Sequence, residues 1–177
     1  MNIVTPIGEG QREQVILAVS DFLCQAETWF GRRFDPVPID FDLTGRAAGM
    51  YVSSAKGRRI RINPYIFAKF FEDNLKTTVP HEVAHYVSDI LYGLGHIRPH
   101  GTEWQQIMHG FGVTPNRTCN YDLEGVPVRR YRRFSYHCGC SAHMLTSRRH
   151  NKITGGLVRY ACRKCGDFLR LSGQSES

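Results

Sequence analysis

No apolar run in this 177-residue chain approaches the ~18 residues that a membrane-spanning helix needs, so an integral membrane protein is not expected. The opening residues, Met1-Asn2-Ile3-Val4-Thr5-Pro6, lack a basic stretch leading into a long apolar one, so a secretory leader is not expected either. Without export, the six cysteines belong in a reducing compartment, where they read as metal ligands or buried thiols and not as a disulfide framework. The expected location is the cytoplasm, with association to the nucleoid if the source is bacterial. Internal repeats and long low-complexity segments are absent. Disorder throughout is excluded, because 41% of the residues are hydrophobic and can build a core.

Acidic residues are scarce at one end. Residues 129–177 carry 2 Asp/Glu against 11 Lys/Arg, a net charge of +9, whereas residues 1–128 carry 14 against 12, a net of −2. A near-neutral body followed by a strongly basic module suggests an anionic partner, nucleic acid first among them. Two domains are therefore expected, 1–128 and 129–177.

Apolar residues recur at helical spacing from Gln11 to Phe30, and Gly31 ends that helix. Ile39–Leu43, Met50–Val52 and Arg59–Ile62 read as three short strands separated by glycine-containing turns. Asn63-Pro64 stops the third, and a helix follows over Tyr65–Phe71. Thr77 or Thr78 is placed to cap a helix through His81 to Leu91, with Pro80 in its first turn. A further helix spans Thr102 to Phe111. In the basic module, Phe134–Cys140, Ile153–Cys162 and Phe168–Leu171 read as a β-ribbon, with Gly155-Gly156 at a bend. The fold class expected is α+β: helices with a small, mostly antiparallel sheet, then a small β-ribbon module.

His81-Glu82-Val83-Ala84-His85 is an H-E-x-x-H motif on one of these helices. Histidines four residues apart share a helix face one turn apart, so both imidazoles reach one Zn²⁺ at ~2.0–2.1 Å. Glu82 then faces the metal's open side, where it can take a proton from metal-bound water. A catalytic zinc needs a third protein ligand. The candidates are His96, His100, Glu103 and His109. The metzincin continuation fails, since Ser88 and Leu91 stand where its glycine and third histidine belong. His100 is preferred: Pro99 and Gly101 fit a tight entry into the next helix, which aims His100 back at the first.

A second metal signal is Cys138-Gly139-Cys140 followed by Cys162-Arg163-Lys164-Cys165. Two knuckles on adjoining ribbon ends furnish four thiolates to a structural Zn²⁺, with His137 or His143 as substitutes for one of them. Such a site stabilises a module of ~45 residues that is small for a firm core. Basic residues interleave with it: Arg129, Arg130, Arg132, Arg133, Arg148, Arg149, Lys152, Arg159, Arg163 and Lys164. These neutralise phosphates, and Tyr131, Phe134, Tyr136, His150 and Tyr160 among them offer faces for stacking on bases. Nothing in the pattern specifies a base sequence. An acidic protein is the alternative partner.

Together these residues resemble the SprT family of zinc metalloproteases, which includes the eukaryotic protease Spartan. The resemblance runs through Ala48-Gly49, Ile62-Asn63-Pro64, Val79-Pro80-His81-Glu82-Val83-Ala84-His85 and Pro99-His100-Gly101-Thr102-Glu103-Trp104. It continues through Tyr136-His137-Cys138-Gly139-Cys140, Leu145-Thr146-Ser147-Arg148-Arg149-His150-Asn151 and Tyr160-Ala161-Cys162-Arg163-Lys164-Cys165-Gly166. It implies a zincin-like domain followed by a small β zinc ribbon, with two zinc ions, one catalytic on His81, His85 and His100 with Glu82 as general base, and one structural on Cys138, Cys140, Cys162 and Cys165. It also implies an endopeptidase acting on DNA-bound or DNA-crosslinked proteins, with DNA held by the basic ribbon and no membrane partner. Spartan's long regulatory tail has no counterpart here, and Cys119 stands near where related sequences carry a histidine. Two other readings remain: a nucleic-acid-binding adaptor with a structural or weakly active zincin body, and a zinc hydrolase of a non-peptide substrate.

Overall fold

A computed structural model of the chain describes residues 4–117, 120–127 and 132–172. It divides into two compact units, Met1–Val128 and Arg129–Ser177. No helix among the described residues is long and apolar enough to cross a membrane.

The first unit opens with α1 (Glu9–Phe30), whose Val15, Val19, Leu23 and Ala26 recur at helical spacing and are buried; Gly31 terminates it in the left-handed conformation. Three strands follow: β1 (Ile39–Asp40), β2 (Gly49–Ser54) and β3 (Gly57–Ile62). β3 lies in the middle, parallel to β1 and antiparallel to β2. The first strand is shorter than the alternation of residues 39–43 implies. Only Ile39 and Asp40 join the ladder, while the Asp42 carboxylate turns to the Arg61 guanidinium at 2.8 Å.

Asn63 ends β3 and starts the next helix. Its Oδ1 accepts from the Tyr65 and Ile66 backbone N–H groups, and its Nδ2 donates to the Gly45 and Ala47 carbonyls. One fully buried side chain thereby caps α2 (Pro64–Lys69) and pins the loop leading into β2. The single helix expected over 65–71 is two. Phe70 leaves helical geometry (φ −134°, ψ 50°) and stacks its ring on Tyr121 at 4.5 Å, and α3 (Phe71–Lys76) begins anew.

α4 (Thr78–Tyr92) packs against α1, α3, β2 and α5 (Thr102–Gly110). Burial on several sides explains why ten of its fifteen residues are buried, Glu82, Ser88 and Asp89 among them. Pro80 sits in its first turn, and Thr77 gives no side-chain cap, donating its hydroxyl to the Asp73 carbonyl instead.

The second unit holds β4 (Arg133–His137), β5 (Ala142–Thr146), α6 (Ser147–Thr154) and β6 (Arg170–Leu171), with β4 central and both pairings antiparallel. The strand expected over Ile153–Cys162 is absent. The chain turns back at once after Cys140 to form β5, and residues 147–154 are helical. Between α6 and Cys162 only Ala161 pairs, in a single bridge to Phe168. Helix α6 has no buried residue, so no apolar stripe announces it in the sequence. Gly156 takes a positive φ just after it, at the expected bend.

Candidate active site and metal centres

His81 and His85 project from one face of α4, and His100 approaches from the turn before α5. Their Nε2 atoms lie 3.2 Å (His81–His85), 3.0 Å (His85–His100) and 3.1 Å (His81–His100) apart. Ligands at ~2.0–2.1 Å around a tetrahedral zinc stand ~3.3 Å from each other, so the three nitrogens fit that ion. His100 adopts φ 56°, the one positive φ of a non-glycine residue among those described. This uncommon conformation turns its ring toward α4.

The surroundings hold these rings in place. His81 Nδ1 donates to the Asn116 carbonyl at 3.2 Å, which leaves Nε2 as the free lone pair. Gln105 Nε2 donates to the His100 carbonyl and Trp104 Nε1 to the His81 carbonyl. The Trp104 ring lies 4.7 to 5.5 Å from all three imidazoles and is 1% exposed, forming a rigid apolar wall. Burial draws His81 down to about 4 and His85 to about 3. His100 is lowered too, by burial first and then by the Arg117 charge. All three are therefore neutral donors at physiological pH, as zinc requires.

Glu82 occupies the adjoining position. Its Oε2 accepts from the Tyr51 backbone N–H at 2.6 Å. Burial pushes its carboxyl up to about 8 against that hydrogen bond, a value for the metal-free site that a neighbouring dication would lower. Tyr51 is anchored in turn: its hydroxyl donates to Asp89 Oδ2 at 2.6 Å, where Arg58 Nε also donates at 2.6 Å. Gly49 passes so close that a Cβ there would lie 2.7 Å from Glu82 Cγ. Gly49, His81 and Glu82 border an open cleft of about 610 Å³, which Arg46, Ala47, Ala48, Val113, Thr114, Asn116 and Arg117 also line.

In the second unit Cys138, Cys140, Cys162 and Cys165 bring their sulfurs together. Cys138 and Cys140 are 3.5 Å apart and Cys140 and Cys162 3.6 Å, too far for disulfides at ~2.05 Å and close to the ~3.8 Å between thiolates on one zinc. The Cys140 backbone N–H and then the His143 imidazole draw the Cys138 thiol down to about 5. His143 Nε2 touches Cys138 Sγ at 3.2 Å, as a hydrogen-bonding neighbour beside the four-cysteine group. His137 instead faces the Ser172 hydroxyl.

The basic residues are scattered over this unit. Arg148, Arg149 and Lys152 stand on α6 and not on a ribbon strand; Arg163 and Lys164 lie in the second knuckle. Arg133 starts β4, and Arg132 and Arg159 lie over the Phe134 and Phe168 rings at 5.0 and 3.9 Å. Arg129, Arg130, Tyr131 and Cys119 lie outside the described residues. Tyr136 is fully buried and offers no open face, and one face of Phe134 is stacked on His150 at 3.6 Å.

The SprT-like family model matches residues 19–132, which include both histidines of the motif, Glu82 and His100. The chain belongs to the SprT-like family. It is 40% identical over 168 residues to Protein SprT of Pseudomonas syringae pv. tomato, covering 93% of this chain and 98% of that one. Protein SprT of Shewanella oneidensis is 35% identical over 162 residues, covering 91% and 99%. That of Vibrio parahaemolyticus is 36% identical over 155 residues, covering 86% and 89%. No solved structure matches the chain. Membership of the SprT-like family and a three-histidine group beside a buried carboxylate support a metal-dependent enzyme.

The sequence reading missed Tyr51, Asn116 and the Asp89–Arg58 pair. Tyr51 and Asn116 reach Glu82 and His81 from 31 and 35 residues away through backbone groups, and Arg58 meets Asp89 across 31 residues, with no motif to mark any of them. Trp104 carried a usable signal: it stands four residues after His100, in the first turn of α5.

Proposed function

We propose that this chain is a zinc-dependent endopeptidase that cleaves proteins bound or crosslinked to DNA, with DNA held by the basic second unit. One observation carries the reading: three neutral imidazole nitrogens converge within 3.2 Å of one another, and His81 and Glu82 line an open cleft. His81, His85 and His100 would hold the catalytic zinc, and the four cysteines a structural one.

A catalytic zinc supplies Lewis acidity, polarising a carbonyl and acidifying water. The chain's own groups do the rest. Glu82, fixed by the Tyr51 N–H, takes a proton from the attacking water and delivers it to the departing amine nitrogen. Trp104 and the Asn116 carbonyl keep the imidazoles from reorienting during turnover. Eleven cations against two carboxylates in residues 129–177 favour a polyanion, and tethering DNA raises the concentration of DNA-bound protein near the cleft.

The test is cleavage of a basic DNA-binding protein with and without single-stranded DNA, by the wild type and by a Cys162→Ser, Cys165→Ser variant. DNA-stimulated cleavage that the cysteine variant loses is the expected result. If DNA is retained through the second unit while the zinc-loaded protein cleaves nothing, the reading fails and the adaptor role replaces it.

A further inference from the structure

Two arginines, Arg46 and Arg117, border the cleft that contains His81 and Glu82. Among the described residues no carboxylate pairs with either. A guanidinium left without a counter-ion beside a cleft is available to an anion that arrives with, or develops on, the substrate. The two differ in how they are tied to the histidines. Asn116 gives its carbonyl to His81 Nδ1, so Arg117 begins one peptide unit from a direct contact with the triad. Arg46 has no such tie; its loop is pinned by Asn63, which does not touch the histidines.

We infer that Arg117 is a catalytic residue that stabilises the negative charge developing on the scissile carbonyl oxygen. The inference rests on the peptidase reading above. As the water oxygen bonds to the carbonyl carbon, its proton passes to Glu82 and the C=O π pair moves onto oxygen, where the guanidinium N–H groups receive it. On collapse that pair re-forms the C=O bond and the C–N bond breaks. The nitrogen keeps the bonding pair and takes the proton from Glu82. A fixed cation that meets charge present only in the transition state lowers the barrier without tightening ground-state binding.

The experiment compares wild type, Arg117→Ala, Arg117→Lys and Arg46→Ala, each loaded to full zinc content. One readout is kcat and KM on a peptide that the wild type cleaves. The other is equilibrium binding of a phosphinic isostere of that peptide, against binding of the planar peptide to the same proteins carrying Glu82→Gln. Arg117→Ala should lower kcat about 10²-fold with KM within threefold, as loss of one oxyanion donor does. It should weaken the tetrahedral isostere at least tenfold and the planar peptide less than threefold, with Arg117→Lys in between. Unchanged kcat and isostere affinity, a change in KM alone, or the same pattern in Arg46→Ala instead would each overturn the inference. A zinc-loaded wild type that neither cleaves nor binds either ligand would bring down the peptidase reading itself, and the inference with it.

Discussion

Replacing Gly49 by alanine should disable the site without touching any metal ligand. Gly49 has no unusual backbone angle; its constraint is space. An added Cβ would meet Glu82 Cγ and Thr78 Cγ2 at 2.7 Å and Glu82 Oε1 at 2.8 Å, all inside van der Waals contact. Thr78 cannot yield easily, because its hydroxyl donates to the buried Asn74 side chain at 2.6 Å and α4 is packed on several sides. The strain therefore falls on Glu82 and on the start of β2. Overpacking of this kind costs about 1–3 kcal/mol. Moving Glu82 away breaks its hydrogen bond with the Tyr51 N–H, and a ~1 Å displacement of a catalytic group costs on the order of 10²-fold in rate. The expected variant retains zinc at His81, His85 and His100, melts several degrees lower and loses about two orders of magnitude in kcat/KM. Metal analysis, a thermal melt and a peptidase assay on one preparation check all three. Full activity and unaltered stability with zinc in place would refute the argument that Glu82 depends on this close approach.

Three further outcomes follow from the same geometry. In zinc-free protein, Glu82 ionises in the unfolded chain near 4.5 but only near 8 when folded, so its contribution destabilises the fold as pH rises through that window. His81 and His85 take up protons near 6.5 when unfolded but only near 4 and 3 when folded, so stability is lost as pH falls below 6.5. Two histidines outweigh one carboxyl on the acid side, so the melting temperature of the metal-free first unit should peak near pH 6.5, and Glu82→Gln should remove the alkaline decline; an unaltered decline would contradict this. Asp89→Ala, which strands the Tyr51 hydroxyl and Arg58 Nε, should cost about 2–3 kcal/mol in a denaturant titration, since Arg58 is partly exposed and recovers some hydration. Cys162→Ser should lower the zinc content from two ions per chain to one, read by metal analysis of the purified protein.

Much of the site was legible because its chemistry is local. The motif places His81, Glu82 and His85 on one helix by spacing alone, and Pro99 and Gly101 mark the turn that delivers His100. The paired knuckles likewise announce the cysteine group. What was not legible depends on contacts distant in sequence or on a weak pattern. The backbone N–H of Tyr51 and carbonyl of Asn116 carry no side-chain signature, yet they orient the base and a ligand. Helix α6 has no buried face, so nothing in the pattern of residues 153–154 separates it from the start of a strand. Phe70 breaks a helix because its ring meets Tyr121, a partner 51 positions along the chain that no local propensity reveals.

The central claim is that Glu82 acts as the base beside a zinc held by three histidines. The most direct measurement is peptide turnover by Glu82→Gln at full zinc occupancy, against wild type in the same assay. The account predicts two zinc ions per chain in both proteins and loss of cleavage by at least 10³-fold in the variant, on the order expected when a general base is removed. Turnover equal to wild type with both ions in place would contradict it.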